Sequence, residues 1–268
     1  MGREYEYRGL VAQAWDLLRG DYSAWADRPF YRSIIEQQSG PALDVGCGTG
    51  RLILDYLATG LDVDGVDDSP EMLAICRDKA AALNIDVAGR LFEEAMQELA
   101  LGRRYATVFV PSSTFQLLTD RTIAREAMRR FVAHLVPRGV LVMSIMSKLW
   151  RGKEPPPQMV WTEWQKVGEA SRSDDGATIR RWIRTRYDHM QQLEHEENRY
   201  EVVINGEMVM TEEHGRSPAV RWYSQGQIAD VLESAGLTDI GVTRGFTEEA
   251  ASPSDTLFCV RGTCPGAR

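Results

Sequence analysis

The chain has little cysteine, little histidine and no excess of positive charge. Among its 268 residues are four cysteines (Cys47, Cys76, Cys259 and Cys264) and four histidines. The cysteines lack the paired close spacings of a zinc site, and four in a chain this long do not suggest a disulfide framework. No metal is expected. Lys and Arg number 31 against 39 Asp and Glu, a net charge of −8. Nucleic-acid affinity rests on neutralising phosphates with basic side chains, so a nucleic-acid partner is not expected. No apolar run approaches the ~20 residues of a membrane span, and the opening MGREYEYRGL has charges where a secretory leader needs an apolar core. The expectation is a cytoplasmic protein without a membrane partner. Core-forming material is abundant: 43% of residues are hydrophobic, enough for one elaborated domain or one domain plus a lid.

From Pro41 to about Met146, short apolar runs alternate with helical patterns, as in βαβ units of a parallel sheet. The expected strands are Ala42–Val45, Leu61–Val66, Ile85–Leu91, Ala106–Val110 and Gly139–Ile145, with helices at Leu52–Ala58, Met72–Leu83 and Thr122–Leu135. Ser69 and Pro70 form an N-cap and first-turn pair for the second helix. Before the sheet, Ala12–Leu18 and Phe30–Gln37 read as helices that cover the sheet edge or the mouth of a ligand site. Pro155-Pro156-Pro157 ends the alternation, and strand-like segments follow near Gln158–Val167, Ala177–Asp188, Leu193–Ile204 and Glu207–Glu213. Asn205-Gly206 is a type I′ hairpin signal that pairs Ile204 with Glu207 and Val202 with Val209, with Tyr200 and Thr211 extending that face. Helix Ser224–Ala235, closed by Gly236, and strands Leu237–Thr243 and Thr256–Val260 can rejoin the parallel sheet. The antiparallel meander is then an insertion.

The chemistry concentrates in Asp44-Val45-Gly46-Cys47-Gly48-Thr49-Gly50, where a strand runs through a glycine-rich turn into a helix. Such glycines let backbone approach a nucleotide-like ligand without a Cβ clash. A dinucleotide site has G-x-G-x-x-G; here the spacing is G-x-G-x-G with an acid two residues upstream. A second acid, Asp67, ends the next strand about 20 residues later, where a ribose-binding carboxylate is expected. Asp68 beside it is a weaker partner, and Met72 offers an apolar wall for a base.

This pair of motifs resembles class I S-adenosylmethionine-dependent methyltransferases. The resemblance implies a Rossmann-like seven-stranded sheet, mostly parallel with the last strand antiparallel, and an inserted antiparallel lid. It implies S-adenosylmethionine as cofactor and S-adenosylhomocysteine as product, with Asp44 orienting the cofactor amino group and Gly46, Cys47, Gly48 and Gly50 against its methionyl part. Family members often hold the adenine amino group with an acid after the third strand. The position aligned with it is Ala95, which leaves the adenine to the backbone amides of Ala95 and Met96, or to Glu94. Pro111 and Ser112, after the fourth strand, fall beside the sulfonium. Tyr22, Gln116, Trp222 and Tyr223 are candidate contacts for the acceptor. Implied domains are an N-terminal helical cap at 1–40, a cofactor-binding domain at 41–150 and 220–264, and a lid at 151–219 that covers substrate and can support a homodimer. The lid resembles those of sugar N-methyltransferases, so the implied activity is in-line methyl transfer to a small molecule. A nicotinamide-dependent oxidoreductase and a non-catalytic protein of this fold are the competing readings.

No catalytic base stands out. His189, His195 and His214 read as surface residues of the meander, and His134 as a solvated helix residue. Alternation puts Arg180, Arg184 and Arg186 on one strand face. A hairpin turning about His189-Met190-Gln191 would set Glu196 and Glu194 opposite Arg184 and Arg186, making a ladder of ion pairs rather than an anion site. A slip of one residue would place Arg186 opposite Leu193 or His195 and reopen the anion-binding reading.

Overall fold

The computed structural model describes residues 7–148 and 154–266. In chain order the elements are α1 (Leu10–Gln13), α2 (Trp15–Arg19), α3 (Asp27–Gln38), β1 (Ala42–Val45), α4 (Ile53–Ala58), β2 (Val63–Asp67), α5 (Pro70–Ala82), β3 (Leu91–Glu93), β4 (Tyr105–Val110), α6 (Arg121–Ala133) and β5 (Leu135–Met146). They continue with β6 (Gln165–Ser171), β7 (Thr178–Asp188), β8 (Leu193–Ile204), β9 (Glu207–Arg221), α7 (Gln225–Ser234), β10 (Thr238–Arg244) and β11 (Leu257–Thr263). The chain divides into two compact units, one of residues 23–148 with 222–266 and one of 7–22 with 154–221. The border expected at 150/151 lies outside the described residues. Among the described residues no helix is long and apolar enough to cross a membrane.

The first unit is an α/β sandwich around a seven-stranded sheet of order β3-β2-β1-β4-β5-β11-β10. Only β11 runs against its neighbours. The parallel strands read as continuous apolar runs because both faces are covered. Val108 and Val110 of β4 pack with Met128 and Phe131 of α6 and Ile228 of α7, while Phe109 between them points to Tyr31 of α3 and Tyr56 of α4. Phe131 is fully buried, and truncating it to Ala would cost about 3–5 kcal/mol.

One expected strand moves. Ile85–Leu91 was to pair with β2, yet β3 is only Leu91–Glu93. Asn84 in the left-handed region closes α5, and Ile85 and Val87 pack on the core from a loop. Pairing starts where Gly65 donates to the carbonyl of Arg90 and its partners run from Leu91 to Glu93.

The second unit is a four-stranded antiparallel sheet, β6-β7-β8-β9. Leu10, Val11 and Ala14 pack on Ile179, Tyr200 and Val202, so the first two helices cover a face of this sheet. The first meander strand is β6 at 165–171, later than the expected Gln158–Val167. Trp161 and Trp164 instead stack on arginines of the sheet, at 5.2 and 5.0 Å from the Arg184 guanidinium. The last strand runs to Arg221, past the expected end at Glu213, and places Pro218 on the sheet edge, where its missing N–H is tolerated.

Two registers differ from expectation. Ile204 pairs with Glu207, but a bulge sets Val202 opposite Met210 and Tyr200 opposite Glu212, so Val209 is extra and exposed. Across β7 and β8, Asp188 pairs with Leu193 over a four-residue turn. Gln192 in that turn is left-handed, and the Asp188 carboxylate accepts from the Gln191 amide at 2.9 Å. The turn is one residue longer than the three-residue one expected, which shifts the ladder by one. Arg184 faces Glu197 and Arg186 faces His195, while Glu194 and Glu196 lie on the other face. The expected Arg184–Glu196 and Arg186–Glu194 pairs do not form.

Candidate functional site

In the parallel unit the strand order reverses between β1 and β4, and ligands of open α/β sheets bind beyond the carboxyl ends of strands at such a point. The glycine turn leaves β1 there. Gly46, Gly48 and Gly50 all have positive φ, at 77°, 54° and 86°. Their duties differ. A Cβ on Gly50 would lie 2.5 Å from the Cys76 sulfur and 2.9 Å from Leu54, and one on Gly46 would lie 2.4 Å from Thr114. Those two are needed for internal packing. A Cβ on Gly48 would meet only the end of Met72, at 3.3 Å, so this glycine is the one whose backbone is open to a ligand.

Asp67, at the end of β2, fastens this turn. One carboxylate oxygen accepts from the Gly48 amide at 2.8 Å and the other from the Ser69 amide at 3.0 Å. Each oxygen keeps a lone pair for a further donor. Burial raises its pKa to about 6, against the lowering by those two amides, so the group is ionised at neutral pH. Asp68 beside it is exposed, and Met72 is buried on the first turn of α5.

Asp44, the residue before the last of β1, is 1% exposed and has one carboxylate oxygen without a hydrogen-bond partner. Burial, reinforced by Asp67 and Asp27, lifts its pKa to about 8 against the opposing pull of Arg51. A buried, orphaned carboxyl is costly unless something meets it, and a cationic or N–H donor is its complement. Arg51 and Asp27 were not singled out in the sequence. Arg51 follows Gly50, donates to Asp27 at 2.9 Å, and lies 5.0 Å over Trp25. Its position after the third glycine was the only available signal, since Asp27 is far away in sequence.

Ala95 is buried and leads a short 3₁₀ turn that carries Met96. The Glu94 carboxylate accepts from the Ala100 amide at 2.7 Å, so it is turned to a capping task. Beyond β4, Pro111 is buried and Ser112 and Ser113 are consecutive left-handed residues with φ 55° and 60°. Non-glycine residues hold that conformation only where the surroundings enforce it, and such strain collects at functional loops. Ser144 accepts from the Ser113 amide at 3.2 Å. Gln116 is buried, and its amide pairs with both backbone groups of Met146 at 2.7 and 2.9 Å, pinning this loop to β5.

The structure brings together Asp44, Gly46, Cys47, Gly48, Gly50, Asp67 and Met72 around one turn. Trp222 and Tyr223 are buried ahead of α7, where Tyr223 packs on Phe115 with centroids 6.0 Å apart. Tyr22 belongs to the antiparallel unit. Two histidine expectations are corrected. His134 is buried, with its ring bonded to the Arg130 carbonyl at 2.7 Å and accepting from the Leu101 amide at 3.0 Å; His195 is buried as well.

Residues 42–139 match the family described as "Methyltransferase domain". The chain is 32% identical over 152 residues to the dTDP-3-amino-3,6-dideoxy-alpha-D-glucopyranose N,N-dimethyltransferase of Streptomyces fradiae, a match covering 53% of this chain and 55% of that protein. It therefore spans about half the length of that relative. A solved S-adenosylmethionine-dependent methyltransferase from Clostridium acetobutylicum superposes with a TM-score of 0.71 at 17% identity, covering 92% of this chain and 93% of that one. A sugar N-methyltransferase from Streptoalloteichus has a TM-score of 0.66 at 20% identity, covering 99% and 98%.

Proposed function

We propose that this chain, whose residues 42–139 match a methyltransferase domain, transfers a methyl group from S-adenosylmethionine to a small-molecule acceptor, and that the acceptor is the amino group of a sugar. The observation that carries the reading is the Asp44 and Gly46–Gly50 turn fastened by Asp67 at the switch point of the sheet. The sugar comes from the Streptomyces relative and the Streptoalloteichus neighbour. A nicotinamide dinucleotide site would want a glycine at position 51, where Arg51 is held by Asp27.

The site fits the cofactor at both ends. The orphaned Asp44 oxygen suits an ammonium group, and the two Asp67 oxygens suit the two ribose hydroxyls. The backbone of Gly48 lies against the methionyl part, Met72 walls the adenine, and the amides of Ala95 and Met96 take the place of the missing acid. Pro111 and Ser112 flank the sulfonium, and Asp68, Trp222 and Tyr223 complete the surroundings. When bound, S-adenosylmethionine supplies an electrophilic methyl on a good leaving group. The protein then contributes alignment and exclusion of water more than proton transfer. His134, the one histidine of the parallel unit, has both ring nitrogens engaged. A neutral amine needs no proton removed before attack, so the parallel unit need not supply a histidine base.

The antiparallel sheet serves as the lid over the acceptor and as the surface for a homodimer, and the reaction runs in the cytoplasm with all four cysteines as free thiols. The test is release of S-adenosylhomocysteine with a panel of dTDP-linked amino sugars and their hydroxyl analogues. Turnover with the amines and not the alcohols is expected. Turnover with the alcohols alone would overturn the amine assignment.

A further inference from the structure

The one-residue shift between β7 and β8 leaves a distinctive cluster on one face of the antiparallel sheet. Three other arginines of that face have carboxylates: Arg180 pairs with Glu169, Arg184 with Glu197 and Arg199 with Glu213. Arg186 has none within ion-pair distance among the described residues. It faces His195 across the ladder, lies 4.7 Å from the Trp161 ring, and donates through Nη2 to the Ser217 hydroxyl at 3.3 Å. The same hydroxyl is 2.8 Å from His195 Nδ1. Two polar atoms are left over. Arg186 Nε is buried without a partner, and so is Nε2 of His195, a residue only 7% exposed.

The valences of the cluster say what is missing. A guanidinium only donates, so Ser217 Oγ accepts from Arg186. An assignment that also satisfies the second bond has that hydroxyl donating to His195 Nδ1, which puts the proton of the neutral imidazole on Nε2. Both orphaned atoms are then donors on side chains tied to one hydroxyl. Their complement carries acceptors and negative charge. Ser217 is exposed and Arg186 is half-buried, so the cluster borders solvent. We propose that Arg186, His195 and Ser217 form a binding site for a phosphate group on the antiparallel sheet, with Trp161 holding the guanidinium in place. Donors from two adjacent strands, held by the Ser217 hydroxyl on a third, suit the spread oxygens of a phosphate better than the flat pair of a carboxylate. The site rests on the antiparallel unit alone and does not depend on the methyl-transfer reading.

Calorimetry on the full chain with inorganic pyrophosphate, against acetate at matched ionic strength, tests it. Saturable binding of pyrophosphate is expected, weakened at least tenfold by Arg186→Gln and several-fold by His195→Gln. Ser217→Ala, at an exposed position, should weaken it about threefold and covers the case in which a buried-site variant fails to fold. Arg184→Gln, two residues along the same face but already ion-paired, should change affinity less than twofold. dTDP in place of pyrophosphate identifies the source: equal affinity points to a free phosphate-type anion, tighter affinity to a nucleoside diphosphate, and both uphold the site. Absence of saturable pyrophosphate binding, acetate binding equally well, or an Arg184→Gln loss as large as that of Arg186→Gln would overturn it.

Discussion

The parallel and antiparallel units are built from the same short apolar strands, yet they place function differently. In the parallel unit the candidate site is made by backbone: a turn whose glycines are fixed by packing, an aspartate that fastens it with two amide bonds, and a loop of strained serines. Its geometry survives small errors of strand register because it sits at strand ends. In the antiparallel unit chemistry is carried by side chains across a ladder, and one extra turn residue decides whether Arg186 meets a glutamate or a histidine. The first kind of site is robust to where a strand begins; the second is decided by it.

The largest effect that would sharpen this contrast lies in the glycine turn. Gly50→Ala should destabilise the fold by about 2–4 kcal/mol, since the new Cβ meets the Cys76 sulfur and Leu54 in a left-handed conformation. Gly48→Ala should cost only about 1 kcal/mol in stability while weakening cofactor binding about tenfold. Thermal unfolding and calorimetry separate the two, and equal stability losses would contradict the division of duties.

Next is Asp67→Ala, which should weaken S-adenosylhomocysteine binding by at least ~1.5 kcal/mol through loss of charge-assisted bonds. An unchanged dissociation constant would move the ribose contact elsewhere.

A smaller effect is set by Asp44. Its raised pKa, about 8, means that the folded chain holds a proton there which the unfolded chain releases, so stability falls as pH rises toward 8. Asp44→Asn cannot titrate and should flatten the decline in Tm between about pH 6 and pH 8. A parallel decline in both proteins would show that Asp44 does not drive it.

The smallest belongs to the antiparallel unit, where Gly206 has φ 84° and nothing within 4 Å of an added Cβ. Gly206→Ala should cost about 1 kcal/mol of conformational strain alone, measurable by denaturant unfolding. A loss as large as that of Gly50→Ala would erase the distinction between a packed turn and an open one.

The same contrast explains what could be read from the residues. The β1 and β8 boundaries and the Asn205-Gly206 turn were legible because apolar alternation and turn chemistry are local signals. The Asp44, Gly46–Gly50 and Asp67 constellation was legible because spacing along two adjacent strands fixes it. The register of β7 on β8 was not, since the four-residue turn depends on Asp188 capping Gln191 and on a left-handed Gln192. β6 was placed too early because Trp161 and Trp164 look like strand residues but stack on arginines. Burial of His134 and the Arg51–Asp27 pair depend on contacts 24 or more residues apart, which no window of sequence reveals.

The central claim, that the turn at Gly46–Gly50 with Asp44 and Asp67 is built for S-adenosylmethionine, is tested most directly by calorimetric titration of the purified chain with S-adenosylhomocysteine and with NAD. Saturable binding of S-adenosylhomocysteine that is tighter than that of NAD, and that is lost in Asp67→Ala, is predicted. Tighter binding of NAD, or no binding of S-adenosylhomocysteine by a folded chain, would contradict it.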